Sequence, residues 1–291
     1  MLEYVAFKME EDIRLFLNYL AKEKKCTKNT LDAYHNDLSQ LADYLDSSKN
    51  EAVSGRDTIE LKDENLKRYM LSLKEKSYTL STVARKIAAA RTFIKFMSAR
   101  GKVRNDLAPN LEAPRVHKAL PKALSKSEVQ RLFDETLKQP SLDGKRDRAM
   151  LELLYATGML ASELMALNVD DIKHNSVSIS NQKGKTRIVP LDKRISDLIR
   201  DYIDTVRIKL LAKDKERALF LNQRGERLTR QGFWQIVQGY ADAAGMSSKV
   251  TPRTIRHSYA VHRLNSGADI QEIQEVLGHA HISTTKAYKQ V

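Results

Sequence analysis

The sequence TPRTIRHSYAVHRL at residues 251–264, followed by LGHAHISTTKAY at residues 277–288, decides the fold of this chain. Both stretches have helical character, and Ser283 is predicted to cap a short helix that carries Tyr288. A tyrosine near a chain terminus is usually a partly exposed packing residue, because termini fray. The alternative is a phenolic nucleophile, and the rest of the sequence is needed to decide between the two interpretations.

The composition favours an anionic partner. The 291 residues carry a formal net charge of +13 at pH 7, and a field of that size attracts polyanions. Nucleic acid is the first candidate, since the basic residues are spread along the chain rather than gathered in one amphipathic segment that would suit a membrane. The longest apolar run, residues 149–160, includes Glu152 and is too short to span a bilayer. The first residues lack a signal-peptide pattern and Cys26 is the single cysteine, so we expect a cytoplasmic protein.

The first hundred residues predict four helices. Their apolar residues recur at helical spacing, and Ser81 is the predicted cap of the fourth helix. The opposite face of that helix carries four cations and no acid, namely Arg85, Lys86, Arg91 and Lys95. Such a face is most often solvated surface, but it would also suit a phosphate backbone. Arg85 and Lys86 are therefore candidate DNA contacts, and both interpretations stay open.

The helical pattern breaks at residues 105–121, which contain three prolines and several cations. We predict a helical domain at residues 1–107, a basic linker at 108–121 and a second domain at 122–291. In the second domain Val177 and Ile179 alternate with serines, the sequence NQKGK follows, and TRIVPL alternates back, which predicts a β-hairpin. The predicted fold class is mainly α (α+β), with one small antiparallel β-sheet.

Two further helix starts are predicted in the second domain, at Ser125 and Thr229. Arg230 and Gln231 follow the second cap, where backbone N–H groups attract phosphate, so they are candidate DNA contacts. Trp234 lies beside the apolar stripe of the same helix. It is predicted to lie in the core rather than to serve as a base-stacking platform.

Ordered motifs along nearly the whole chain resemble one family. They are LLYATGMLASELMALNVDDI, KGKTRIVPL, TPRTIRHSYAVHRL and LGHAHISTTKAY in the second domain, and FLNYLAKEKKCTKNTLDAYHNDL and STVARKIAAARTFIKFM in the first. The chain thereby resembles the tyrosine recombinases, most closely those of the bacterial Xer type. The resemblance implies a helical core-binding (SAM-like) N-terminal domain and a tyrosine-recombinase catalytic domain. It also implies breakage and rejoining of double-stranded DNA through a 3′-phosphotyrosine, without a metal, a nucleotide or any other cofactor.

The resemblance assigns roles to individual residues. Tyr288 matches the nucleophile, Arg256 matches the second of two arginines on the scissile phosphate, and His279 matches the later of two histidines. Lys183, in the hairpin turn, matches the lysine that protonates the leaving 5′-oxygen. The turn is one residue shorter than the family's usual turn, so Lys185 is the alternative for that role.

Two positions depart from the family pattern. Leu160, in TGML, stands where the family has its first arginine, and Arg253 stands where the family has histidine or sometimes lysine. Leucine cannot donate a hydrogen bond, and the loss of one such donor typically costs about 10²–10³ in rate. Arg253 keeps a charge but cannot act as a base. One hypothesis is that Arg253 compensates at the same phosphate, in which case restoring arginine at position 160 would add little.

Two functions therefore stay open. The first is an impaired recombinase that cleaves through Tyr288, in a homotetramer or in a heterotetramer with a competent recombinase on DNA. The second is a silent DNA-binding or regulatory protein with the recombinase fold. Family members commonly continue beyond the tyrosine into a helix that docks on a neighbouring subunit, whereas three residues follow Tyr288 here. Either the native protein lacks this helix or the natural chain continues beyond the given sequence. If it lacks the helix, we expect weak self-association in the absence of DNA.

The histidines near the C terminus do not predict a metal site. His257, His262, His279 and His281 are close in sequence, but they lack zinc-ligand spacing with a cysteine or an acid. His257 is instead predicted to be a packed residue that holds Arg256.

Overall fold

The computed structural model describes residues 9–47, 63–103, 109, 111–114, 123–138, 140–181, 184–212, 215–246 and 250–290. The chain forms two compact units, Met1–Lys118 and Ala119–Val291. The division between them falls inside the segment 108–121, which the sequence analysis assigned to a linker. Lys183 and most of that segment lie outside the described residues.

The described part of the first unit is helical. Its helices are α1 (Met9–Lys22), α2 (Lys28–Ser47), α3 (Asp63–Glu75) and α4 (Leu80–Ser98). Their apolar faces form one core, in which the Phe16 and Phe93 rings meet edge-on with centroids 5.5 Å apart. The cap of α4 differs from the prediction, because the Thr79 side chain accepts from the Thr82 N–H and Ser81 already lies in the first turn. Serine and threonine have similar cap preferences, so the sequence pattern did not distinguish the two positions.

Lys86 is buried, which corrects its assignment as a surface cation that contacts DNA. Its side chain is 3% exposed, and Nζ donates to Asp37 at 3.0 Å and to Gln40 at 2.6 Å. Breaking a buried ion pair costs about 3–5 kcal/mol, so this ammonium is not available to a phosphate. Arg85 also binds Asp37, but its side chain is 50% exposed, and it remains a candidate DNA contact.

The second unit combines helices with a small sheet. Its elements are α5 (Lys126–Leu137), α6 (Leu142–Thr157), α7 (Ala161–Ala166), β1 (Ile172–Lys173), β2 (Ser176–Ser180), β3 (Thr186–Pro190), α8 (Lys193–Asp201), α9 (Ile208–Leu210), α10 (Arg230–Ala243), α11 (Pro252–Asn265), α12 (Ile270–Leu277) and α13 (Ile282–Lys286). The sheet is antiparallel with the order β1-β2-β3, and Val177 pairs with Val189 in the predicted hairpin. The predicted fold class is confirmed.

The central helix of the second unit is α6, which packs against α5, α8 and α11. Met150, Leu153 and Leu154 are completely buried on it. The helix ends at Gly158, which has the left-handed conformation with φ 58° and ψ 20°. Glycine adopts this conformation without a steric penalty, so the chain can turn sharply there into the segment that contains Leu160.

The predicted caps at Ser125 and Thr229 are confirmed, since each side chain accepts from the N–H three residues later. The predicted burial of Trp234 is wrong, because this side chain is 44% exposed. Consecutive residues on a helix are about 100° apart, so burial of Phe233 turns Trp234 away from the core. No helix in the described ranges is both long and apolar enough to cross a bilayer.

Candidate active site

Arg256 lies on α11 with its guanidinium inside the second unit, and the residue is 5% exposed. Nη2 donates to the Leu277 carbonyl oxygen and to His279 Nε2, each at 2.9 Å. Nη1 is buried, and it has no hydrogen-bond partner of ordinary geometry among the residues that the structure describes. Buried polar groups are normally hydrogen-bonded, so Nη1 is available to an anionic group such as a phosphate oxygen.

His279 is a neutral acceptor in this arrangement. Arginine has no acceptor atom, so Nε2 must accept from Arg256 and Nδ1 must carry the proton, which it donates to Thr285 Oγ1 at 2.9 Å. Burial, followed by the charges of Arg256 and Arg187, lowers the pKa of His279 to about 4. The histidine is therefore uncharged near neutral pH. Its bond to Thr285 connects the guanidinium of Arg256 to helix α13.

Tyr288 lies directly after α13, on the 3-10 turn Ala287–Gln290. Its ring is half-buried between two histidines. The ring centroid is 5.9 Å from that of His279, in a stacked arrangement, and 5.1 Å from that of His257. Burial lowers the pKa of the Arg256 guanidinium, and the neighbouring Tyr288 counteracts this shift. The structure thus brings Tyr288, Arg256 and His279 together.

The cap of α13 is not Ser283, which corrects the prediction from the sequence. The helix begins at Ile282, and His281 occupies the cap position without a side-chain hydrogen bond to the backbone. Helix α13 is instead held at Thr285, whose buried side chain accepts a hydrogen bond from His279.

Leu160 occupies the cap position of α7, and its side chain is 47% exposed. Its N–H donates to Glu163 Oε2 at 2.8 Å. The Glu163 carboxylate also binds Arg187 of β3 through two parallel hydrogen bonds of 2.7 and 2.8 Å. Burial raises the pKa of Glu163, but the bonds from Arg187 and Leu160 outweigh it, so that the net pKa lies below its ordinary value.

Arg187 is a second arginine at the site that sequence reasoning missed. Its Nε donates to the Val276 carbonyl oxygen at 2.7 Å, one residue before the carbonyl that Arg256 binds. A signal for it exists in the sequence. Arg187 shares a strand face with the buried Val189, and an arginine on a buried face needs an acidic partner.

The remaining predicted residues are exposed or lie outside the described ranges. Arg253 is exposed on the first turn of α11, and after burial its charge is the second cause that lowers the pKa of His257. Lys185 is exposed at the end of the hairpin turn, whereas Lys183 is not described. Arg230 and Gln231 are exposed on the first turn of α10. Within the described ranges, no three histidine, cysteine or acidic side chains are grouped to hold a metal ion.

The turn at Gly158 yields a stability prediction. A Cβ at this position would lie 2.4 Å from Tyr259 Cδ1 and 2.7 Å from Leu277 Cδ2, in a left-handed backbone that disfavours L side chains. Gly158→Ala is therefore expected to lower the free energy of unfolding by about 2–4 kcal/mol, because overpacking adds to backbone strain. Urea unfolding of the variant and of the unmodified protein measures the difference.

Gly267→Ala is the matched control for this prediction. Gly267 also has a positive φ, of 87°, but no atom lies within 4 Å of its would-be Cβ. This variant should show the backbone strain alone, about 1–2 kcal/mol. Equal losses in the two variants would contradict the steric part of the prediction for Gly158.

Comparison with known proteins identifies both units. Residues 122–291 match the Phage integrase family, and residues 13–101 match the N-terminal SAM-like domain of phage integrases. The chain is 41% identical over 288 residues to the tyrosine recombinase XerC of Roseiflexus sp. (strain RS-1), covering 97% of this chain and 90% of that protein. It is 37% identical over 286 residues to the tyrosine recombinase XerD of Listeria innocua serovar 6a, covering 97% of this chain and 95% of that protein.

Solved structures have the same fold at lower sequence identity. The XerH site-specific recombinase bound to palindromic difH substrate, in a post-cleavage complex, matches with a TM-score of 0.74 at 19% identity, covering 99% of this chain and 88% of that chain. A lambda integrase tetramer bound to a Holliday junction matches with a TM-score of 0.75 at 13% identity, covering 97% of this chain and 77% of that chain.

Proposed function

Because the chain belongs to the phage integrase family of tyrosine recombinases, we propose that it binds a specific site in duplex DNA and cleaves one strand there through Tyr288. The observation that carries this proposal is the buried guanidinium of Arg256. Its Nη1 has no hydrogen-bond partner of ordinary geometry among the described residues, and the Tyr288 phenol lies beside the guanidinium. A phosphate oxygen is the ligand for which such a donor is suited.

The chemistry follows from these groups. The Tyr288 oxygen attacks the scissile phosphorus, the bond from phosphorus to the 5′-oxygen breaks, and the enzyme is left with a 3′-phosphotyrosyl bond. Arg256 stabilises the charge that develops on the non-bridging oxygens. Lys183 protonates the leaving 5′-oxygen, with Lys185 as the alternative. The bond energy is kept in the covalent link, so rejoining needs no nucleotide cofactor.

Cleavage is slower than the family's residue set would allow. Leu160 cannot donate to the phosphate, and one missing donor of this kind costs about 10²–10³ in rate. Arg187 does not replace it in the resting arrangement, because its Nε, Nη1 and Nη2 already donate to Val276 and Glu163. Arg253 is the other substitute, and it would have to fold back from the surface to reach the same phosphate.

The DNA contacts are exposed basic and polar side chains of both units. Arg230 and Gln231 extend from the first turn of α10, where the N–H groups of a helix start favour phosphate. Arg85 and Lys185 supply further cations. Binding of this kind weakens steeply with salt, because each neutralised phosphate releases counterions. The curated relatives are bacterial proteins, and we propose that this chain acts on DNA in a bacterial cytoplasm.

Strand exchange requires several subunits on DNA. The lambda integrase match is a tetramer on a Holliday junction, which supports the same assembly for this chain. Either four copies assemble, or copies of this chain share the complex with a competent recombinase. In the second case the partner would supply the arginine that Leu160 replaces.

A second candidate function is DNA binding without cleavage. It is favoured by Leu160 and Arg253, since both substitutions remove groups that the reaction uses. In that case the protein would occupy or regulate a recombination site, and Tyr288 would be a relic.

Covalent trapping distinguishes the two functions. Duplex DNA selected by binding to the protein is nicked next to the scissile position, so that the cleaved strand loses its 5′-hydroxyl fragment and cannot be rejoined. We expect a DNA adduct that survives denaturation, with the DNA attached to the peptide that contains Tyr288. Specific DNA binding without any adduct would support the second function.

A further inference from the structure

His257 is a buried histidine beside the proposed nucleophile. The residue is 2% exposed, and its ring centroid lies 5.1 Å from that of Tyr288 at an interplanar angle of 49°. Both ring nitrogens are buried, and neither has a hydrogen-bond partner among the described residues. Such an orphaned imidazole is uncommon, because most buried side-chain polar atoms are bonded.

The prediction that His257 holds Arg256 is not what the structure shows. Arg256 is held by the carbonyl oxygen of Leu277, the last residue of α12, and by His279, which lies between α12 and α13. The His257 ring contacts the Tyr288 ring instead. Its nitrogens are therefore not needed to position the guanidinium.

The other candidate bases at Tyr288 are unavailable. The guanidinium of Arg253 has no acceptor atom, so it cannot take the proton. His279 uses its only lone-pair nitrogen, Nε2, to accept from Arg256, and its Nδ1 proton is donated to Thr285. His279 could accept a proton from Tyr288 only after its hydrogen bond from Arg256 had broken. His257 has no hydrogen-bond partner on either ring nitrogen among the described residues, and its ring contacts the Tyr288 ring.

We propose that His257 is a catalytic residue that accepts the proton of Tyr288 during strand cleavage. This inference rests on the proposed function and names the base for its first step. As the phenolic oxygen bonds to phosphorus, the O–H bond breaks and its proton passes to the free ring nitrogen of His257. The leaving 5′-oxygen takes a different proton, from the lysine. In rejoining, His257 returns the proton to the phenol.

The charge state of His257 is consistent with this role. Burial, followed by the charge of Arg253, lowers its pKa below the ordinary value, so the ring is neutral and able to accept near neutral pH. The two rings are in contact, and catalytic hydrogen bonds often tighten only in the substrate complex. Arg253 therefore affects the rate in two ways. It cannot itself act as a base, and its charge makes His257 a weaker base.

The test is the rate of adduct formation in a single turnover on the nicked duplex. His257→Gln and His257→Phe are compared with the unmodified protein. His281→Gln is the matched control, since His281 is an exposed histidine in the motif that contains His279. General-base catalysis contributes about 10²–10⁴ in rate, so we expect losses in that range for both His257 variants and none for the control. DNA affinity and the unfolding midpoint are measured for each variant to show that it is folded.

A second measurement separates a base from a packing residue. Tyr288 is replaced by a difluorotyrosine, whose phenol is more acidic and depends less on a base. We expect this replacement to raise the rate in the His257→Gln background by a larger factor than in the unmodified background. Equal factors in both backgrounds, or an unchanged rate in His257→Gln, would overturn the proposal while the proposed function stands. Absence of any adduct in the unmodified protein would overturn the proposed function and this inference with it.

Discussion

Tyr288→Phe is expected to abolish the covalent DNA adduct and to leave DNA affinity essentially unchanged. The substitution removes one oxygen atom and keeps the ring that stacks on His279 and contacts His257. Without a nucleophile no alternative path to the adduct exists at this site, so the loss should be complete within detection. The adduct is measured on denaturing gels with the nicked duplex, and affinity is measured by a binding titration at fixed salt, because salt changes it strongly.

Tyr259→Phe is the matched control for this experiment. Tyr259 lies on the same helix as Arg256 and is 8% exposed, and it belongs to the apolar cluster against which Tyr288 packs, but its hydroxyl is not a partner in the hydrogen bonds that hold Arg256. Its variant should still form the adduct. An adduct that persists in Tyr288→Phe would identify a different nucleophile and contradict the mechanism.

The fold was predictable because local patterns and the global fold agree. Helical spacing in the first hundred residues and the alternation around Val177 led to the observed helices and hairpin. The errors concern single positions on helices. Trp234 is exposed although its neighbour Phe233 is buried, and the cap of α4 is Thr79 rather than Ser81. Periodicity fixes a face to within one residue and cannot choose between two adjacent good caps.

The site was only partly predictable, because long-range pairs carry no local signal. The sequence motifs predicted Tyr288, Arg256 and His279 as candidate catalytic residues. The bidentate pair of Arg187 and Glu163 joins residues 24 positions apart. The sequence around each residue does not indicate which residue is its partner. The same limit explains the buried Lys86, whose acidic partner lies on another helix, 49 positions away.

Restoring the missing arginine is expected to have the second large effect. Position 160 is connected to Arg256 through Glu163, which accepts from the Leu160 N–H and whose charge partly offsets the lowering of the Arg256 pKa by burial. Because the Leu160 side chain is 47% exposed, a longer side chain fits there without displacing the core. Leu160→Arg should therefore add a charged donor beside the scissile phosphate and raise the rate of adduct formation by about 10²–10³.

The measurement must separate this donor from a general gain in positive charge. Leu137→Arg on α5 is the matched control, since Leu137 is an exposed leucine, 55% accessible, at a distance along the chain from the site. It should strengthen DNA binding at low salt as much as Leu160→Arg does and leave the single-turnover rate unchanged. An equal rate in Leu160→Arg and the unmodified protein would instead support the hypothesis that Arg253 already supplies the second guanidinium. In that case Arg253→Ala should reduce the rate of adduct formation. In our proposal Arg253→Ala should change this rate little, because it removes the charge that weakens His257 as a base.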